Sequence, residues 1–227
     1  MTSRRFWRAV FVAAIAFLLW LAAACIYDAV LPVVSSAGCP KSKVVVVDAE
    51  GLVRSVNAAV IKGLSIARFL ALGKCDARYL IIVSHGLRVV SSIFIPKDSF
   101  ALETSESASP LSPLLYPLFV ITEGVVEGRS FGSSSLKLAV TERIVPFMQP
   151  LHGKVLILVT CPMGNVTRFA KALISRGSIM VAYPRFDVFE GNVSYVVSRI
   201  VSIVDKCRSL RSLASDLSSL GFKVVER

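Results

Sequence analysis

Between Arg8 and Asp28 the chain runs for 19 residues, Ala9 to Tyr27, without a charge. A helix over that run is roughly 28 Å long, about the hydrocarbon thickness of a bilayer. Arg4, Arg5 and Arg8 precede it, and the first base beyond it is Lys41. The asymmetry predicts a single span of the cell membrane, with the N-terminus cytoplasmic and the rest of the chain outside. Trp7, Trp20 and Tyr27 suit the two membrane interfaces. A cleaved signal peptide is the rival reading. Ala22, Ala23 and Ala24 are small enough for cleavage, and Leu21 to Cys25 loosely resembles a lipoprotein site. The run is long for a signal core, which favours a retained anchor over residues 1–28. Leu31 to Pro40 holds two prolines and a glycine and reads as part of a linker over 29–42.

Residues 43–227 are enough for one domain with a buried core. With 54% hydrophobic and 18% charged residues, extended disorder is excluded. The net charge is +11, of which the first 28 residues carry +2. The remaining bases stand singly, as at Lys62, Arg68, Lys74, Arg78, Arg88 and Lys97. They form no basic run and no aromatic-interleaved stripe, which argues against a nucleic-acid partner. A solvated, mildly basic face is the simplest account, and attraction to anionic lipid is the functional one. The five cysteines are Cys25, Cys39, Cys75, Cys161 and Cys207, with no Cys-x-x-Cys pair. A zinc site is not expected, and no cofactor is called for. A disulfide among Cys39, Cys75 and Cys207 is allowed, its pairing open.

Apolar runs alternate with helical patterns. Lys43 to Asp48, Tyr79 to Ser84, Val155 to Val159, Ser178 to Tyr183 and Phe222 to Val225 read as strands, the early ones buried on both faces. Val89 to Ile95 reads as a further short strand. Helices are expected over Arg54 to Leu72, Leu136 to Met148, Asn165 to Arg176, and around Val193 to Val204 and Leu210 to Leu220. Residues 99–135, with Pro110, Pro113, Pro117 and many serines, read as an irregular insertion lying over one end of the sheet, with short strands allowed within it. The alternation predicts an α/β domain whose mostly parallel sheet is covered by helices on both faces.

Sites on such sheets form beyond the carboxyl ends of the strands. Leu80 to Val83 runs into Ser84, His85 and Gly86, and Leu156 to Val159 runs into Thr160 and Cys161. If those strands are neighbours, an imidazole and a thiol meet at one edge. A thiol with pKa near 8.5 is mostly protonated at neutral pH, and an imidazole beside it can take that proton and later protonate a leaving amine. Gly86 leaves room for a carbonyl to approach, and the N–H groups of Gly86 and Cys161 can hold an oxyanion. A strand-end cysteine is more commonly a small buried hydrophobe, and a lone His-Gly is commonly a turn, as expected for His152 and Gly153. Asp48 also ends a strand beside this edge. Its simpler role is a solvated strand end or a turn acceptor. Asp98, Glu123 and Asp187 are further acids without an assigned place.

The ordered set resembles the caspase-like peptidases of clan CD. It comprises an apolar run into Ser84-His85-Gly86, then an apolar run into a small residue and Cys161, with Gly164 three residues on. The region after Cys161 is most similar to the CHAT branch. It has a helix over Phe169 to Ile174, Gly177, an apolar strand over Ile179 to Ala182, and the turn Tyr183-Pro184-Arg185-Phe186-Asp187. The likeness covers about Lys43 to Leu220. It implies a caspase-like three-layer sandwich, a catalytic dyad of His85 and Cys161, and a peptide or protein substrate. It also implies that Asp48 could line a pocket for a basic side chain, as an acid in this region does in arginine- or lysine-specific relatives. Thr160 stands where the family usually has Ala or Ser, Pro162 removes an N–H after the cysteine, and 76 residues separate His85 from Cys161.

These features predict a membrane-anchored cysteine endopeptidase. The alternative is a catalytically inactive CHAT-like binding or scaffold module at the membrane, which Thr160 and Pro162 favour. A serine-type α/β-hydrolase ranks below both.

Overall fold

Four consecutive valines and an aspartate make one strand of the main sheet, and each of them is buried. In a computed structural model the described residues are 2–89, 99–128, 135–161, 163–189 and 191–227. The chain opens with a single helix, α1 (Thr2–Val34). Strands β1 (Val44–Asp48) and β2 (Ala59–Lys62) follow, then the short helix α2 (Ile66–Leu70) and strands β3 (Tyr79–Val83) and β4 (Gly86–Val89). Strand β5 (Ser99–Ser107) leads into the short helices α3 (Ser112–Leu115) and α4 (Pro117–Ile121), then β6 (Val125–Gly128) and β7 (Lys137–Thr141). Last come β8 (Val155–Val159), α5 (Val166–Ser175), β9 (Met180–Pro184), α6 (Val193–Lys206), α7 (Leu210–Ser219) and β10 (Phe222–Glu226).

The main sheet has the order β10-β9-β8-β3-β1-β2. Its pairs are parallel except for β10, which runs antiparallel to β9. The fold is therefore α/β with a mixed, mostly parallel sheet. Val45, Val47, Leu80, Ile82, Leu156 and Leu158 point into one core with Phe69 of α2 and Phe169 of α5. Val44, Val46, Ile81, Val83, Ile157 and Val159 point into the other with α6 and α7. Strands buried on both faces cannot alternate polar and apolar residues, which is why these read as continuous hydrophobic runs. On α6, Val193, Val196, Val197, Ile200, Val201 and Val204 are all buried, each contributing roughly 1.5–3 kcal/mol over exposure as an upper estimate.

The expected helix over Arg54 to Leu72 is instead β2 followed by α2. Val60 pairs with Val46 at the sheet edge, and Gly63, at φ +78°, turns the chain toward Ser65, which caps α2 through Arg68 N. Edge pairing with β1 outweighs the local helical spacing. The expected helix over Leu136 to Met148 is β7 followed by a 3-10 turn holding Pro146. The insertion is likewise more regular than its prolines suggest. Strands β4-β5-β7-β6 form a second, antiparallel sheet, and Phe100, Leu102, Leu138 and Val140 on one of its faces enter the first core. The expected strand Val89 to Ile95 lies, beyond Val89, outside the described residues.

The expected linker is fastened to the domain. Helix α1 continues to Val34, and Leu31 and Ala37 are core residues. Asp28, fully buried, accepts the N–H of Leu118 at 2.9 Å. Lys74 donates to the carbonyls of Val33 and Ser35, and Gln149 donates to that of Pro32 at 3.0 Å. Cys39 is bonded to Cys75 in a disulfide. From Phe6 to Val34 the helix is apolar and long enough to cross a membrane, or to serve as a signal sequence.

Candidate active site

Strands β3 and β8 lie side by side and parallel, with Val83 opposite Val159. The pairing continues past the strand ends, where Ser84 N–H donates to the Val159 carbonyl at 3.2 Å. Ser84 and Thr160 are buried, while His85 and Cys161 are partly exposed. Val83 and Val159 face the α6 side, and side chains alternate along a strand. His85 and Cys161 therefore belong to that same side, one step beyond Ser84 and Thr160.

Gly86 holds the two strand ends together. A Cβ placed there would lie 2.6 Å from Phe100 Cε2 and 2.8 Å from Thr160 Oγ1, and would run into the carbonyl of Cys161. The space beside Gly86 is thus occupied by the protein's own backbone and by Thr160. The glycine is required for contact between the two loops rather than for substrate approach. Gly86 stands opposite Leu102. Glu103 N–H donates to the His85 carbonyl at 2.9 Å, so Gly86 falls between hydrogen-bonded pairs and its own N–H points away from β5.

The Cys161 thiol donates to the Val188 carbonyl at 3.2 Å. Burial pushes the thiol pKa above its ordinary value, and the nearby carboxylate of Asp187 raises it further. The turn after β9 therefore forms one wall of the site and supplies both Val188 and Asp187. Met163 N–H donates to the Cys161 carbonyl at 2.8 Å. Met163 and Phe189, on the two segments that meet at Cys161, are 44% and 67% exposed. Pro162 lies outside the described residues.

Asp48 does not serve the site as a pocket acid. It is fully buried, and its two carboxylate oxygens accept the N–H groups of Leu52 and Val53 at 3.0 and 2.8 Å. Sequence reasoning placed it near this edge correctly, but the turn that follows consumes its charge. Glu123 sits in a turn at φ +55°, Asp98 lies outside the described residues, and His152 stands exposed in the loop before β8.

One residue was missed. Glu103 on β5 is 1% exposed. Continuing the β4–β5 register by one places it directly opposite His85. Leu87, Ala101 and Ala139 pack together on one face of the second sheet, and by alternation His85 and Glu103 share that face. Directly opposed Cβ atoms are about 4.5–5.5 Å apart, within reach of a carboxylate–imidazole interaction. The available signal was an acid in an otherwise apolar strand stretch, Phe100 to Leu102 preceding it, since acids are seldom fully buried without a partner. Among the described residues no group of three His, Cys, Asp or Glu side chains is arranged to hold a metal. No protein-family model and no curated protein sequence matches this chain.

Proposed function

We propose that this chain is a membrane-anchored cysteine endopeptidase of caspase/CHAT-like type. The observation that carries the reading is the adjacency of the two parallel strands that end in His85 and Cys161, with Gly86 packed against the Cys161 carbonyl. The mixed, mostly parallel sheet and the helices on its two faces agree with it. His85 takes the proton of Cys161, and the thiolate attacks the scissile carbonyl. The N–H groups of Gly86 and Cys161 hold the oxyanion, and His85 protonates the departing amine. Water then attacks the thioester, with His85 as base, and frees the acid product. Glu103 is a positioning residue that orients the imidazole. The anchor reading is supported by the charge asymmetry around Ala9 to Tyr27. The Cys39–Cys75 disulfide favours the oxidising side of the membrane for the domain.

The test is a fluorogenic peptide library on the detergent-purified chain and its Cys161→Ala variant. Loss of cleavage in the variant, with an unchanged melting transition, is the expected result. Equal cleavage by both proteins would remove the assignment. A second reading, an inactive binding module, is favoured by the thiol's hydrogen bond to Val188 and its raised pKa. No cleavage by the parent, with Cys161 alkylated only after unfolding, would establish that reading instead.

A further inference from the structure

From Ser107 to Thr122 the chain again carries no charge. Within that stretch Leu111, Leu114, Leu115 and Ile121 are 60%, 43%, 60% and 58% exposed. Four large apolar side chains on eleven residues form a surface that water disfavours. The stretch is held against α1, and α3 and α4 both pack on that helix. Asp28, the first charge after the apolar run, accepts the N–H of Leu118 at the start of α4. The outward side chains of α1 beside it, Ile26, Tyr27 and Val30, are also exposed, so the two apolar surfaces adjoin.

The backbone of this segment is satisfied locally. Leu114 and Leu115 N–H donate to the Leu111 carbonyl, Tyr116 to Ser112, Val120 to Tyr116 and Thr122 to Leu118. Ser112 Oγ accepts the N–H of Ser109, and Thr122 Oγ1 donates to the Leu118 carbonyl. Backbone that meets lipid must be satisfied in this way. Helices of four and five residues are far too short to span. Tyr116, half-buried beneath them, bonds to Glu106, which turns the polar side of the segment toward the domain.

We propose that α3 and α4 are a second membrane contact, lying in the headgroup and upper acyl region of the leaflet from which α1 emerges. The proposal rests on α1 being a retained span. Because Asp28, Leu118 and the Cys39–Cys75 disulfide fix α1 to the domain, a second contact sets the tilt of the whole domain on the bilayer.

Site-directed spin labelling tests it in the full chain, with Cys25, Cys161 and Cys207 replaced by serine and the disulfide kept. Labels are placed at Leu115→Cys, Ile121→Cys, Val12→Cys in α1 and Arg211→Cys on α7. The chain is reconstituted into phosphatidylcholine vesicles, with and without phosphatidylglycerol. Collision with oxygen is compared with collision with a water-soluble nickel chelate. The expected result is several-fold greater oxygen than nickel accessibility at 115 and 121, as at 12, with the reverse at 211. A label at 12 in lipid with 115 and 121 in water would keep the span and overturn the contact. Labels at 115 and 121 shielded from both reagents would assign the patch to a protein partner and also overturn it. A label at 12 in water would overturn the span, and the contact with it.

Discussion

Glu103 donates its backbone N–H to the carbonyl of His85 at 2.9 Å, and that bond sets a buried carboxylate across the ladder from the candidate base. A carboxylate there is placed to hold the ring for its two proton transfers. Glu103→Gln should lower peptide turnover at least about tenfold, a part of the roughly 10²–10⁴ that acid–base catalysis supplies. Glu103→Asp, which keeps the carboxylate, should recover part of that turnover, and an equal loss in both variants would indicate a packing role alone.

The Cys161 thiol should be slow to alkylate in the free protein at neutral pH, since burial and Asp187 raise its pKa. Asp187→Asn removes one of these causes. Its alkylation midpoint should shift to lower pH, while that of Cys207 stays unchanged. Iodoacetamide rates against pH, read by mass spectrometry, measure both. The same shift has a stability consequence. A thiol whose folded pKa lies above its unfolded value, about 8.5, stabilises the fold fully below that value. The contribution is lost as pH rises through the folded pKa. Cys161→Ala should therefore show less alkaline destabilisation than the parent in urea titrations.

Asp48→Asn should weaken the fold by about 1–3 kcal/mol, because one of the two N–H groups of Leu52 and Val53 loses its charged acceptor. Denaturant midpoints report this. Cleavage preference for basic or neutral side chains should not change, since the carboxylate is buried in its own turn.

Replacing Cys39 and Cys75 with serine opens a loop of 36 residues' separation. The chain-entropy account assigns such a closure about 4 kcal/mol. A loss of 2–4 kcal/mol in urea unfolding is expected. The segment after Val34 should also become more sensitive to protease, because the disulfide is one of the bonds that hold it on the core.

Much of this architecture is legible without coordinates. Strands β1, β3 and β8 are pentapeptides whose burial on both faces leaves a continuous apolar run. Helices α5 and α6 carry their core stripe at helical spacing, with Asn165 capping α5 and Gly177 following it at φ +107°. The uncharged run of α1 is a matter of composition alone. Each of these is local, so a reading along the chain captures it. The adjacency of the two strands that run into His85 and Cys161 was an inference from their ends, and the pairing of Val83 with Val159 supplied it.

What the tertiary structure alone decided is non-local. Residues 59–62 have helical spacing but pair with β1, and Lys137 to Thr141 become a strand because β5 and β6 flank them. The fate of Asp48 depends on how the next five residues turn back toward it. Glu103 faces His85 only through the register of β4 on β5, which a shift of one residue would reverse. The attachment of α1 to the domain rests on contacts from Asp28 to Leu118 and from Cys39 to Cys75, 90 and 36 residues apart. Sequence periodicity records which face of an element is apolar. It does not record which distant element that face meets, and here the second sheet and the foot of the N-terminal helix were set by that choice.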